Sequence, residues 1–265
     1  MGLAIDTVLL DLHNTSTNAA ALAAMAPASG DSLSVRSFKD GASASLENVV
    51  VQCTTPPKRV RVLSPRLHDN VTGLTLTALE NPTEFLLAAD ISQALYSADT
   101  LVVQAEAAAS SDTVAALFVY YSDLPGVQAN LYTWDQIKSR IIALKPVEVD
   151  VTTSATIGSW TDTLINPTEN QLKANYEYAV LGFTESANLL CVGVKGPATG
   201  NLRVGCPAAS PTLRLSDYFI YQSQAQGRPY IPVFNANDRA ATYVSAAANT
   251  ASVTSNVTMI CAQLS

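Results

Sequence analysis

From about residue 32 onward the chain alternates apolar and polar positions in short runs, each closed by Pro, Gly, Asn or Asp. "SLSVRSF", "SLENVVVQC", "RVRVL", "LTLTAL", "TLVVQAEA" and "VAALFVYY" follow one another in the first half. "VEVDVT", "WTDTLI", "YEYAVLGF", "LLCVGVKG", "LRVGC", "TLRLSDYFIYQ", "YIPVF", "ATYVSAAA" and "NVTMICAQL" follow in the second. Rich in Val, Leu, Thr and Tyr, these runs predict strands. Turn signals recur about every eight to fifteen residues, a spacing of sandwiches and barrels rather than of βαβ units.

One stretch breaks the rhythm. In "LYTWDQIKSRIIALKP", Thr133 is a good N-cap and Gln136 follows three residues later, which makes a capping box. Asp135 suits the positive end of the helix dipole. Ile137, Ile141 and Leu144 share a helical face, and Pro146 bars continuation. The pattern predicts a helix over 133–145 and a domain junction near 145. Residues 1–30 are Ala-rich and end in "APASGD". They read as an N-terminal arm, with a short helix in "IDTVLLDL". The expected plan is therefore an arm over 1–30, a first β-sandwich with its linker helix over 31–145, and a second β-sandwich over 146–265. The expected fold class is all-β: two tandem antiparallel β-sandwiches joined by the short helix.

Two features suggest one plan used twice. "NPTE" occurs at Asn81–Glu84 and again at Asn166–Glu169, flanked by Leu79 and Leu87 and by Leu164 and Leu172. The halves also end alike, in "TLVVQAEAAASSDTVAALFVYYSDL" and "TYVSAAANTASVTSNVTMICAQL". Each end reads as a strand running out through Ala, a Ser/Thr turn, and a long apolar strand.

Composition narrows the function. Of the 265 residues 14% are charged, against roughly 25% in an ordinary soluble domain, and 48% are hydrophobic. Ser, Thr, Asn and Ala stand where a lone monomer places Lys and Glu. Such a surface fits contact with other subunits, or a β-rich secreted protein short of Lys. The net charge of −7 argues against nucleic-acid binding by the whole surface. Asp6 and Asp11 stand where a secretory signal needs a positive start. No apolar run reaches the roughly 18 residues of a membrane-spanning helix, so no membrane span is expected.

No catalytic constellation stands out. His13 lies in the expected arm and His68 in the turn "RLHDNVTG", and neither accompanies a nucleophile signature. "GPATGNLRVG" has the wrong spacing for a phosphate loop and reads as a glycine-punctuated hairpin. Cys53, Cys191, Cys206 and Cys261 form no CxxC pair, so neither a structural zinc nor any other cofactor is expected. Free thiols are favoured, with a Cys191–Cys206 pair as the alternative. "PPKRVRVLSPRLH" is more informative. On a strand, Arg59 and Arg61 face one side and Val60 and Val62 the other. Arg59, Arg61 and Arg66 are the candidate interface residues, facing an acidic neighbour or packaged nucleic acid, or simply a solvated edge that resists aggregation. Phe118 with Tyr120, and Phe219 with Tyr221, would share strand faces. Such pairs suit a carbohydrate platform, or a core.

Over about residues 158–236, "LKANYEYAVLGF", "KGPATGNLRVGCP" and "GRPYIPVFNAND" resemble segments of bacterial-virus structural proteins. The resemblance covers about a third of the chain and carries over no functional residue. It implies that both sandwiches are jelly-roll-like, and a place in a virion assembled in a host cytoplasm, with copies of itself and other virion proteins as partners. A capsid shell, a decoration layer and a spike all remain open, as does a carbohydrate-binding module on such a surface.

Overall fold

A computed structural model describes residues 128–265 except 157, 166–171, 187–188, 209–214 and 249. Before residue 128 it describes ten strands and Glu106, with side chains only at residues 59–61, 74–77, 104 and 106. The chain divides into two compact units, Thr7–Pro125 and Gly126–Ser265, with Met1–Asp6 grouped with the latter.

The N-terminal unit holds β1 (Leu3–His13), β2 (Ala23–Ala24), β3 (Ala26–Pro27), β4 (Ala44–Cys53) and β5 (Lys58–Leu63). It continues with β6 (Leu74–Ala78), β7 (Thr83–Leu86), β8 (Gln93–Leu95), β9 (Val102–Ala105) and β10 (Thr113–Asp123). One sheet runs β3-β1-β10-β4-β7, with β8 also on β4; the other runs β2-β9-β5-β6.

The C-terminal unit holds β11 (Leu131–Tyr132), helix α1 (Trp134–Ile137), β12 (Ile141–Thr152), β13 (Thr161–Leu164) and β14 (Glu177–Glu185). β15 (Leu189–Lys195), β16 (Arg203–Pro207), helix α2 (Tyr218–Gln226), β17 (Ile231–Asn235), β18 (Tyr243–Ala248) and β19 (Thr254–Leu264) follow. Its sheets run β11-β17-β14-β19-β12 and β13-β18-β15-β16.

The two units use the same strand order. In the C-terminal unit β12 pairs with β19, β13 with β18, β14 with β17 and β15 with β16, all antiparallel. This is one long hairpin of eight strands, wound so that its outer pairs alternate between two sheets. β14 also meets β19, and β15 meets β18, which closes the wind. In the N-terminal unit β1, β2, β4 and β5 take the places of β12–β15, and β6, β7, β9 and β10 those of β16–β19. There β2 pairs with β9, β4 with β7 and with β10, and β5 with β6 and with β9. Eight strands in two such sheets are the jelly-roll arrangement, so the chain is all-β with one sandwich plan used twice.

The "NPTE" match does not belong to that plan. Asn81, Pro82 and residues 166–169 lie outside the described residues, but their places in chain order are clear. The first copy runs into β7; the second falls between β13 and β14. Those are different connections of the jelly roll, so the match is chance. The similar half-endings do coincide, as β9–β10 and β18–β19.

Three predicted elements differ. "IDTVLLDL" is not a helix but most of β1, whose ladder with β10 satisfies the backbone that a short isolated helix would leave open. The helix expected over 133–145 ends early. Its capping box is as predicted, with Gln136 N donating to Thr133 Oγ1 at 3.3 Å and Thr133 N to Gln136 Oε1 at 2.8 Å. After one 3₁₀ turn, Lys138–Arg140, the chain enters β12, because residues 141–152 find a full-length partner in β19. "DYFIYQ" is helix α2, not a strand, closed by Gly227 at φ 62° in the left-handed conformation glycine tolerates.

The core of the C-terminal unit is built from alternating strand positions. Val147, Val149 and Val151 of β12, Phe183 of β14, Val192 and Val194 of β15, and Val257 and Met259 of β19 are buried. Phe219 of α2 is fully buried and lies 5.9 Å from Phe183, 5.9 Å from Tyr218 and 6.2 Å from Tyr230 between ring centres. Gly182 permits a close approach: a Cβ there would collide with the Leu215 carbonyl oxygen, in the 3₁₀ turn Leu215–Asp217. That turn therefore lies directly on the β14 backbone.

Candidate assembly surface

The predicted arginine pair sits as expected on β5. Val60 is fully buried, Arg59 is exposed and Arg61 half-buried. Their register explains their partners. Arg61 stands opposite Gln104 of β9 and donates to Gln104 Oε1 from Nε at 3.0 Å and from Nη2 at 2.6 Å. Arg59 donates from Nε to Glu106 Oε2 at 2.6 Å, and Glu106 N in turn donates to Arg59 O at 2.9 Å. Thr75 and Thr77 of β6 extend the same polar face on the other side. Both guanidinium groups thus have acceptors within their own sheet. Arg66 lies outside the described residues, as does His68, while His13 is described only as part of β1.

The sequence pattern missed a second surface, on β12. Along this strand the side chains alternate: Val147, Val149 and Val151 point inward, and Glu148, Asp150 and Thr152 outward. The outward row begins with Ile142, 56% exposed at a bulge where the register with β19 shifts, and Leu144, 63% exposed. Two adjacent aliphatic side chains left this bare are the opposite of what the burial of apolar area favours. β12 is the last strand of its sheet, and among the described residues no strand pairs with its outer edge. Pro146 sits mid-strand and remains paired through Ile260. Proline has no N–H, so a strand that stays laddered through it turns that nitrogen to the open edge. The edge is thereby a poor template for added strands, while the side-chain face stays available.

A third cluster crosses the smaller sheet. Asp162 of β13 lies opposite Ser245 of β18, whose Oγ donates to Asp162 Oδ1 at 2.6 Å. The same row continues through Gly193 and Gly205, which leave it without side chains. Lys195 and Arg203, paired in the next row, reach across to the carboxylate. Lys195 Nζ donates to Asp162 Oδ2 at 2.7 Å, and Arg203 donates to both carboxylate oxygens at 3.4 Å. The Arg203 guanidinium carbon stands 5.3 Å from the centre of the buried Trp160 ring. Burial alone would raise the Asp162 pKa; hydrogen bonds from Lys195, Ser245 and Arg203 and the Arg203 charge outweigh it and hold it below the ordinary value. A carboxylate so held stays ionised near neutrality and has no proton to donate, and its four-strand contacts tie the sheet together.

The remaining candidates resolve by geometry. Phe219 and Tyr221 do not share a face: on α2 the first is fully buried and the second 47% exposed. Phe118 and Tyr120 lie on β10, with side chains outside the described residues. Cys191, Cys206 and Cys261 are buried thiols. Val192 stands opposite Cys206, so Cys191 and Cys206 point to opposite faces of their sheet and do not meet. Burial raises the Cys206 pKa, with Glu185 adding to it, and burial alone raises that of Cys261, so both stay protonated and inert. "GPATGNLRVG" is the predicted hairpin between β15 and β16. Thr199 Oγ1 closes it, donating to Leu202 O at 2.6 Å and accepting from Gly196 N at 3.1 Å. Among the described residues no group of three His, Cys, Asp or Glu could hold a metal ion, and no helix is long and apolar enough to cross a membrane.

No protein-family model matches the chain, and no curated protein matches it. A solved structure, the virus-like particle of the extra small virus of the giant freshwater prawn Macrobrachium rosenbergii, is similar at 16% identity, over 46% of this chain and 80% of that one. Its TM-score is 0.24, at which the likeness carries no argument about function. It belongs to a prawn virus and lends nothing to the bacterial-virus part of the resemblance.

Proposed function

We propose that the chain is a structural subunit of a virion, in its shell or in a layer on it, and that it acts by packing against copies of itself and other virion proteins. The observation that carries this reading is the jelly-roll strand order used twice in one chain. Jelly rolls build viral capsids and also lectin domains, so fold alone does not choose between them. The surface favours assembly. The charged fraction is low, at 14%, and the β12 face leaves Ile142 and Leu144 bare. The lectin reading draws less support, because Phe219 is buried in the core while Tyr221 is exposed, so the two rings do not form one surface platform. Arg59, Arg61 and Arg66 are proposed as a secondary contact with an acidic neighbour, in which the β5 guanidinium groups divide their N–H donors between their own-sheet acceptors and carboxylates of another subunit.

Many weak symmetric contacts would supply the affinity. Multi-angle light scattering of the purified protein over a hundredfold range of concentration tests this. A discrete oligomer or particle is expected. A monomer throughout the range would refute the reading. The variant Arg59→Glu/Arg61→Glu is expected to weaken assembly, and unchanged assembly would remove the arginines from the interface.

A further inference from the structure

The β12 face has a charge pattern that fits one partner better than others. Positions on either side of Leu144 are complementary in pairs. Lys138 mirrors Asp150, Arg140 mirrors Glu148, and Ile142 mirrors Pro146. The segment from the 3₁₀ turn through β12 is thus cationic at its start, apolar in the middle and anionic toward its end. Two copies laid antiparallel about a two-fold axis at Leu144 would set each cationic end against the other's anionic end, with the apolar residues between. A two-fold contact uses the same patch on both subunits, so self-complementarity of this kind is its signature.

The spans agree. From Leu144 to Asp150 the strand covers about 20 Å, and from Lys138 to Leu144, half of it 3₁₀ turn, about 16 Å. A lysine side chain bridges the difference. The present partners of these charges leave them available. Lys138 pairs at 2.6 Å with Asp135, both well exposed; Arg140 pairs with Glu177 at 2.7 Å, each about one-third exposed, and donates from Nε and Nη2 to the Ser265 carbonyl oxygen at a longer 3.3 Å. Asp150 accepts from Asn256 Nδ2 at 3.1 Å. Exposed pairs of this kind are readily shared or exchanged.

The doubled fold adds a second argument. β1 holds in the N-terminal unit the place that β12 holds in the C-terminal one. The outer edge of β1 carries β3, through Leu10–Pro27 and Asp11–Ala26. The equivalent side of β12 carries no strand among the described residues. Pro146 disfavours pairing by backbone there, which leaves the side-chain face as the contact.

We infer that the exposed face of β12, from Ile142 to Asp150, is a two-fold contact with a second copy of this chain, centred on Leu144. The inference rests on the assembly reading above and names its surface. The test is sedimentation velocity on the full chain and four variants. Leu144→Asp is expected to lose the contact, lowering the association constant on the order of a hundredfold. Lys138→Glu and Asp150→Lys are each expected to weaken it on the order of tenfold. The double variant Lys138→Glu/Asp150→Lys reverses both ends in every copy and is expected to restore association to within about threefold of the native chain. All changed side chains are exposed, so folding is retained, and unchanged tryptophan emission checks this. If the native chain associates but Leu144→Asp and the single charge variants do so equally well, the surface is wrong and the assembly reading stands. Failure of the double variant to recover rejects the charge pairing and with it the two-fold geometry. If the native chain is monomeric throughout, both fall.

Discussion

Replacing Asp162 by Ala should unlock the smaller sheet of the C-terminal unit, and the size of the effect can be worked from its contacts. The carboxylate accepts from Ser245 at 2.6 Å and from Lys195 at 2.7 Å, with longer contacts from Arg203 at 3.4 Å. Its side chain is 23% exposed, and those of Lys195 and Arg203 are 30% and 14% exposed. Removing one partner from a fully buried pair costs about 3–5 kcal/mol, and from a surface pair under about 1 kcal/mol. Partial exposure places Asp162→Ala between these, at about 2 kcal/mol. For a unit of this size that lowers Tm by about 6 °C. Both tryptophans, Trp134 and Trp160, lie in the C-terminal unit, and Trp160 stacks with Arg203, so tryptophan emission follows this unit alone. The pH dependence sharpens the test. The folded pKa of Asp162 is lowered, so its stabilisation is complete above the ordinary value of about 3.9 and is lost as pH falls through the folded value. The difference between native chain and Asp162→Asn should therefore be full at pH 6–7, as an order-of-magnitude window, and should narrow only below about pH 4. A loss under about 0.5 kcal/mol, or a difference that persists unchanged in acid, would refute the reasoning.

Two further substitutions probe the packing. Gly182→Ala places a Cβ on the Leu215 carbonyl oxygen, a backbone atom that yields only if the whole 3₁₀ turn moves. It should cost about 2 kcal/mol by urea denaturation, and a neutral result would show that the turn does not rest on β14. Phe219→Ala removes the ring shared by Phe183, Tyr218 and Tyr230 and should cost about 3–4 kcal/mol, whereas exposed Tyr221→Ala should change stability by less than about 0.5 kcal/mol. Equal effects of the two would place both rings on one face, as a strand would have it.

The strand runs were legible because alternation is a local signal with a strict period. Val147, Val149 and Val151 against Glu148, Asp150 and Thr152 need no tertiary knowledge. The errors fell where local propensity and long-range pairing disagree. Ile137, Ile141 and Leu144 do share a face on an ideal helix, but β19 offers residues 141–146 a ladder, and pairing wins. That misreading hid Ile142 and Leu144, since a strand starting at 141 points both outward. "DYFIYQ" misled in the other direction. Its aromatic residues favour strands, yet Phe219, Gln222, Ser223 and Gln226 fall at helical spacing and are buried together. The clue was Gly227, one residue past the last buried position. The Asp162 cluster could not be read at all, because its members come from β13, β15, β16 and β18 and meet only through register. The doubling was visible in the similar half-endings, which fold as equivalent strand pairs, while the more eye-catching "NPTE" repeat carried nothing.

Self-association of this double jelly roll into a particle is the proposed function. Electron microscopy of the purified chain, at several ionic strengths, shows whether particles form. Closed shells or uniform multimeric capsomers are expected, with Leu144→Asp reducing them to smaller species. A field of single 27.9 kDa monomers under every condition would contradict it.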